Sequence, residues 1–264
     1  MKIAAAQISC APGDLEANLR KVREFAARGQ GSGADLVVFP EMTDTGYSMG
    51  AIRKHARPWN KGAVPELQKI ATDLSLGVIA GISDRDGGSI FNAQVFVSRE
   101  GEVLAKYRNT HLVTAAPLDE RVCLSPGDKL VTCKIDKFNV GLSICYDLRF
   151  PEMCRTLVVT HGANVIINSS AWPFVRMQHL RVLALARAIE NQSYVIIANR
   201  VGTDDGVTFC GSSVIVDAYG AILAGASADR EELIYAEISE EVITDVRQRI
   251  PVFDHRRGDL YQTN

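Results

Sequence analysis

Apolar and polar positions along the 264 residues switch between a period of two and a period near 3.6, and the switches mark out the elements. Residues 2–9 are largely apolar and β-compatible. Asp14 then caps a stretch in which Leu15, Leu19, Val22, Phe25 and Ala26 recur at helical spacing, so a strand followed by an amphipathic helix is predicted. Gly31-Ser32-Gly33 stops that helix. Leu36-Val37-Val38-Phe39 is apolar at every position, as a strand covered on both faces should be. A second helix is predicted over 65–76 and strands over 77–82 and 91–98. The turn Arg99-Glu100-Gly101-Glu102 leads into 103–108 and makes a hairpin.

The second half repeats this logic. Strands over 131–135 and 139–146 flank Asp136-Lys137-Phe138, a helix covers 151–161, an apolar strand 164–168, a long helix 175–191 and a further strand 194–199. Strands over 207–216 and 221–224 flank Asp217-Ala218-Tyr219-Gly220, and 239–250 is the last amphipathic helix. Gly33-Ala34-Asp35-Leu36-Val37-Val38 is similar to Gly162-Ala163-Asn164-Val165-Ile166-Ile167, each following a helix and entering a buried strand, which points to two similar halves. Strands covered by helices, with hairpins supplying antiparallel pairs, define an α/β layered fold. No linker or low-complexity segment divides it, so a single domain over 1–264 is expected.

Composition narrows the function classes. With 29 basic against 31 acidic side chains, a net charge of −2 and no Lys/Arg run, the chain has no electrostatic footprint for nucleic acid or an anionic membrane. No apolar run approaches the ~20 residues needed to span a bilayer. Met1-Lys2-Ile3-Ala4-Ala5-Ala6-Gln7 meets a polar residue too early for a signal peptide, so a cytoplasmic protein is expected. None of the six cysteines forms a Cys-x-x-Cys pair, and most have strand-like apolar neighbours. Neither a metal site nor a disulfide framework is expected.

Two strings carry the chemistry. Phe39-Pro40-Glu41-Met42-Thr43-Asp44-Thr45-Gly46-Tyr47 puts a carboxylate just past the C-terminal end of an apolar strand, where open α/β sheets bind ligands. Val140 to Glu152 runs from a strand straight into a helix with Cys145 at the junction, so that the thiol is expected to be partly exposed and a helix N-terminus to favour its thiolate. Taken jointly, the strings supply a nucleophile and, with no His clearly placed to pair with the cysteine, Glu41 as its base. Asn168-Ser169-Ser170-Ala171-Trp172-Pro173 follows another strand at the same end of the sheet and either lines the pocket or caps the next helix. Arg176 and Arg187 are candidates to bind a substrate carboxylate, and His179 is read as packing or interface.

With Phe39-Pro40-Glu41 and Cys145-Tyr146-Asp147-Leu148-Arg149-Phe150-Pro151-Glu152 in view, the chain resembles the nitrilase superfamily of carbon-nitrogen hydrolases along essentially its whole length. Leu185 to Gln192, Asn199-Arg200-Val201-Gly202 and the tail Pro251 to Tyr261 add to the resemblance. It implies an αββα sandwich of two mixed sheets covered by helices, pairing into a homodimer or higher homo-oligomer through residues 149–155, the helix of His179 and a tail that needs a neighbour to order it. It also implies a Glu-Lys-Cys triad without a cofactor, in which Glu41 is the general base and Cys145 attacks a small linear amide to give an acyl-enzyme that water hydrolyses, with ammonia released. The backbone N–H of Tyr146 would serve the oxyanion. Glu120, ahead of Ser125-Pro126-Gly127-Asp128, matches a second family carboxylate. Tyr47, Tyr146, Ser169, Ala171 and Trp172 are the candidate substrate-binding residues. The Ala171-Trp172-Pro173 loop and the segment Ala186 to Val201 look most like the omega-amidase branch, whose substrates are amides of short dicarboxylic acids.

One position departs from the pattern. The family motif Tyr-Arg-Lys-x-His-Leu reads Tyr107-Arg108-Asn109-Thr110-His111-Leu112 here, with Asn109 where the catalytic lysine belongs. Strand alternation turns Lys106 and Arg108 to the opposite face from residue 109, so neither replaces it. Asn109 can donate a hydrogen bond but has no charge for a thiolate or oxyanion. The alternative function is therefore a catalytically impaired homologue, or an active-site variant, that binds a ligand or partner.

Overall fold

The computed structural model describes residues 1–116 and 118–261. The first half contains β1 (Lys2–Gln7), α1 (Leu15–Gly31), β2 (Leu36–Val38), α2 (Met49–His55), α3 (Val64–Leu74), β3 (Gly77–Asp86), β4 (Ser89–Val97) and β5 (Val103–Arg108). The second contains β6 (Thr132–Ile135), β7 (Phe138–Ile144), α4 (Pro151–Val159), β8 (Val165–Ser170), α5 (Met177–Asn191), β9 (Tyr194–Asn199), the short pair β10 (Thr203–Asp204) and β11 (Val207–Thr208), β12 (Val214–Val216), β13 (Ile222–Gly225), β14 (Glu232–Glu237) and α6 (Glu240–Arg249).

Two six-stranded mixed sheets result, ordered β14-β1-β2-β3-β4-β5 and β6-β7-β8-β9-β12-β13. Read in these directions, both sheets pair antiparallel, parallel, parallel, antiparallel, antiparallel. The similar strings at Gly33 and Gly162 lead into β2 and β8, which hold the same rank in the two sheets. Helices α1 and α3 connect the parallel strands of one sheet, and α4 and α5 those of the other. Asp14 caps α1 through the Ala17 amide, and Ser239 caps α6 through that of Glu241.

One apolar cluster joins the facing sides of the sheets and continues beneath α4 and α5, with Ile3, Val38, Phe96, Leu142 and Ile167 fully buried. A second lies under α1 and α3, built on Val22, Phe25, Leu67, Val78 and Val95. Burial on both faces explains the apolar runs of β2 and β9.

Three features differ from the sequence expectation. The run 207–216 is not one strand: Gly211 and Ser212 adopt positive φ of 48° and 55° and break it. The Ser213 amide and hydroxyl beyond the break both donate to Gln7 Oε1 at 3.0 Å, tying the second sheet to β1. Strand β14 went unread because Glu-Leu-Ile-Tyr-Ala-Glu has charge at both ends and only Ile234 buried, as an edge strand permits. Helix α2 is seven residues long, too short to display an apolar period, and rests on a Ser48 cap.

Candidate active site

Both strings end at the C-terminal edges of parallel strands, and the two sheets bring them together. Residues 40–46 turn back over β3 at Gly81. A Cβ there would lie 2.5 Å from Glu41 Cα, so only glycine lets the loop approach this closely. Thr43 N–H and Gly81 N–H exchange bonds with Gly81 O and Pro40 O at 2.7 and 3.0 Å, which fixes the Glu41 backbone.

Cys145 opens a five-residue 3-10 turn after β7 with φ of 39°, a left-handed conformation uncommon for a non-glycine residue. Asp147 holds the turn, its Oδ2 accepting from Ile144 N–H at 2.9 Å and from the Tyr107 hydroxyl at 2.6 Å. His111 Nδ1 lies 2.7 Å from Asp147 Oδ1, and its ring stacks on Phe150 with centroids 3.8 Å apart. The Cys145 turn is thereby tied to the end of β5, where Asn109 begins the next segment.

Glu41 is fully buried. Its Oε1 accepts from Asn92 Nδ2 at 2.5 Å. Oε2 has no partner of good hydrogen-bond geometry, yet the Cys145 thiol and the Ala171 backbone amide act on the carboxyl from close range. Glu120, also buried, accepts from the Tyr47 hydroxyl at 2.9 Å and from Val113 N–H at 2.7 Å. Asn92 Nδ2 stands 3.4 Å from the same Glu120 oxygen that Tyr47 holds.

Burial first, and the neighbouring Glu120 second, push the Glu41 carboxyl well above the usual carboxylate range, while the bond from Asn92 pulls it back. Glu120 is raised likewise, chiefly by burial. Among the described residues no ion pair reaches either glutamate; the cations of β5, Lys106 and Arg108, turn to the outer face and bind Asp84. Cys145 differs from the sequence expectation. It is buried rather than partly exposed, α4 begins only at Pro151, and burial together with Glu41 raises the thiol well above its normal value. The sulfur therefore rests as a thiol beside a carboxyl whose affinity for protons is raised.

Asn109 is buried, and its backbone N–H donates to Asn92 O at 2.8 Å. Directly opposed residues of an antiparallel pair share a face, so Asn109 lies on the inter-sheet side with Asn92. Its Oδ1 accepts from His111 N–H at 3.2 Å, whereas its Nδ2 is buried and unpaired.

The remaining candidates divide. Tyr47 touches Glu120, and the Ala171 backbone lies close to both Glu41 and Cys145. Tyr146 is half-buried, and the Arg149 guanidinium lies over its ring and that of Trp172 at 5.8 and 4.7 Å. Trp172 is locked by Asn199 Oδ1 and Arg176 O, each at 2.8 Å. Ser169 is fully buried, its hydroxyl donating to Phe39 O at 2.7 Å and accepting from Gln94 at 2.8 Å. That is a brace between the sheets, with no hydrogen free for a substrate. Arg187 is likewise committed, to Leu148 O and Glu190, while Arg176 holds the carbonyls of Ala115 and Ala116. His179 hydrogen-bonds Arg149 at 3.2 Å.

Asn92 is the site residue that the motifs did not single out. In Ile90-Phe91-Asn92-Ala93-Gln94-Val95-Phe96-Val97 the polar residues occupy alternate positions of an apolar strand, the pattern of an inward-facing polar pair.

Two sheets of identical pairing, with a cysteine turn on one and a buried glutamate on the other, define the class as an amidase-type carbon-nitrogen hydrolase. Residues 2–248 match the family model described as carbon-nitrogen hydrolase, and the chain belongs to that family. It is similar to the 2-oxoglutaramate amidase of Bacillus subtilis (strain 168), 34% identical over 260 residues that cover 98% of each chain. It is also 33% identical over 279 residues to omega-amidase NIT3 of Saccharomyces cerevisiae, covering 99% of this chain and 94% of that one. The crystal structure of Saccharomyces cerevisiae Nit3, a member of branch 10 of the nitrilase superfamily, superposes with a TM-score of 0.88 at 32% identity, covering 97% of this chain and 96% of that one.

Proposed function

We propose that this protein is a thiol amidase that cleaves the carbon-nitrogen bond of a small linear amide and releases ammonia. The observation that carries the reading is the Cys145 thiol, held on a left-handed turn directly beside the buried Glu41 carboxyl. Glu41 takes the thiol proton as Sγ bonds to the amide carbon, and the carbonyl oxygen becomes an oxyanion facing the Tyr146 amide and Asn109 Nδ2. Glu41 returns that proton to nitrogen as the carbon-nitrogen bond breaks and ammonia leaves. It then takes a proton from water, which attacks the thioester; the carbon-sulfur bond breaks, and the proton returns to sulfur. Glu120 and Tyr47 buttress the base. No cofactor is required by any step.

The substrate class we infer is the monoamide of a short dicarboxylic acid. The similarity to an omega-amidase and a 2-oxoglutaramate amidase supports it, as does Arg149, whose guanidinium stands at the same turn as Cys145, over Tyr146 and Trp172, as a partner for a distal carboxylate. The test is incubation with such monoamides and with neutral amides of equal length, following ammonia and any acyl adduct by intact mass. Neither ammonia nor adduct, with native folding, would remove the reading.

Asn109 supports a second reading, a catalytically impaired homologue that retains ligand binding, because among the described residues no cation balances the buried carboxyls. Adduct formation without turnover would favour it.

We further propose that the chain, as one domain, forms a homodimer or higher oligomer. Val175, Val182 and Ile189 recur at seven-residue spacing at and along α5 and are exposed, as are Ile222 and Leu223 of β13. The tail needs less help than its sequence suggests, since Phe253 packs between the guanidinium groups of Arg155 and Arg247 at 5.5 and 5.2 Å. A monomer by sedimentation at micromolar concentration would contradict the assembly.

A further inference from the structure

We infer that Asn92 is a positioning residue of the reaction: by donating to Glu41 Oε1 it leaves Oε2 as the basic oxygen presented to Cys145 and keeps the Glu41 carboxyl from sharing its proton with Glu120. This rests on the proposed role of Glu41 as base and deepens it.

The geometry is specific. Asn92 is fully buried in β4, opposite Ser83 on one side, while its carbonyl accepts from Asn109 on the other, so its backbone cannot shift without disturbing the sheet. Its amide N–H₂ group is the element between two carboxyls, at 2.5 Å from Glu41 and 3.4 Å from Glu120. Two buried carboxyls left to themselves lower their energy by closing on one shared proton, and Glu41 would then be pinned by Glu120 and turned from the sulfur. An interposed donor with no acidic proton of its own prevents that. It also favours the ionised form of Glu41 over the protonated one, as a hydrogen bond to a carboxylate does. Asp at the same position would supply a third negative charge, and an apolar residue no donor.

The titratable groups facing Glu41 are Glu120, Cys145 and Tyr47, with Asp147 acting in turn on Glu120. Among these neighbours Asn92 alone is charge-neutral at every pH, so changes in the pH profile on its replacement are read against a fixed set.

The experiment follows alkylation of Cys145 by iodoacetamide against pH in the whole protein, with the modified cysteine located by peptide mass. Native protein is compared with Asn92→Asp, Asn92→Leu and Glu41→Gln, and kcat and KM are measured on a short amide. Asn92→Leu should move the acidic limb of the alkylation profile up by about one pH unit, a loss of roughly ten-fold near neutrality. Asn92→Asp, isosteric and able to fold where Leu does not, should move it further. In both, kcat should fall and KM stay nearly unchanged. A limb at its native position in folded Asn92→Asp, or rates lowered equally at all pH values, would overturn the inference. If Glu41→Gln also leaves the limb in place, the role of Glu41 as base fails; if Glu41→Gln abolishes it and the Asn92 variants do not move it, the role of Asn92 alone fails.

Discussion

Strands β3, β4 and β5 border buried carboxylates on both faces, and the two faces treat them in opposite ways. On the outer face Asp84, 1% exposed, is bound by Lys106 at 2.6 Å and Arg108 at 2.7 Å, and Arg108 reaches Asp86 as well. The cations are themselves supported by rings, Lys106 over Trp59 at 4.1 Å and Arg108 over Phe91 at 3.8 Å. On the inner face Glu41 and Glu120 are as deeply buried but have only neutral donors among the described residues. A buried charge with its countercharge is settled and chemically quiet. A buried carboxylate without one has a raised affinity for protons, the property needed by a group that is to take a proton from a thiol. Asn109 lies on this inner face, buried and without a charge of its own.

The largest test of this contrast pairs Glu41→Gln with Asp84→Asn. Glu41→Gln should cut turnover by on the order of 10³–10⁴-fold with the fold intact, as loss of a general base does. Asp84→Asn should leave turnover per folded molecule nearly unchanged and lower stability by about 1–3 kcal/mol in denaturant melts, since its cations are a quarter to a third exposed and screened. The reverse pattern would mean that the faces have been assigned the wrong way round.

Supplying the missing charge is the next test. Asn109→Lys should raise kcat by on the order of ten-fold to a thousand-fold, because the negative charge it stabilises develops only after attack. An unchanged or lower rate in the folded variant would show that the pocket has been rebuilt around Asn109 and would favour the binding role.

The smallest expected effect concerns pH and stability. Because Glu41 and Glu120 bind protons more tightly folded than unfolded, the native state carries more protons once the pH passes the ordinary glutamate range. Stability then falls as pH rises, and the fall ends only when the native groups ionise. Each group adds at most ~1.4 kcal/mol per pH unit to that slope. Glu41→Gln should flatten it and melt higher than the native protein at pH 8, while at pH 4 the two should nearly coincide. Equal slopes in both proteins would mean that the carboxyl is solvated.

The chain order of strands and helices, the repeat at Gly33 and Gly162, and the strings around Glu41 and Cys145 were legible because each is a local property: a period, a cap, or a run of residues at a strand end. The face of Asn109 was legible too, from alternation along β5. What lies beyond local pattern was not. That Asn92 stands between Glu41 and Glu120, that Tyr47 holds Glu120, and that Ser169 braces the sheets all follow from contacts between residues far apart in the chain, fixed by how one sheet lies on the other. The protonation of Cys145 was misread for the same reason. A junction of strand and helix suggests exposure and a favourable dipole, but burial is a property of everything packed around the turn, and with a carboxyl as its neighbour it outweighs the few partial charges of a short 3-10 segment.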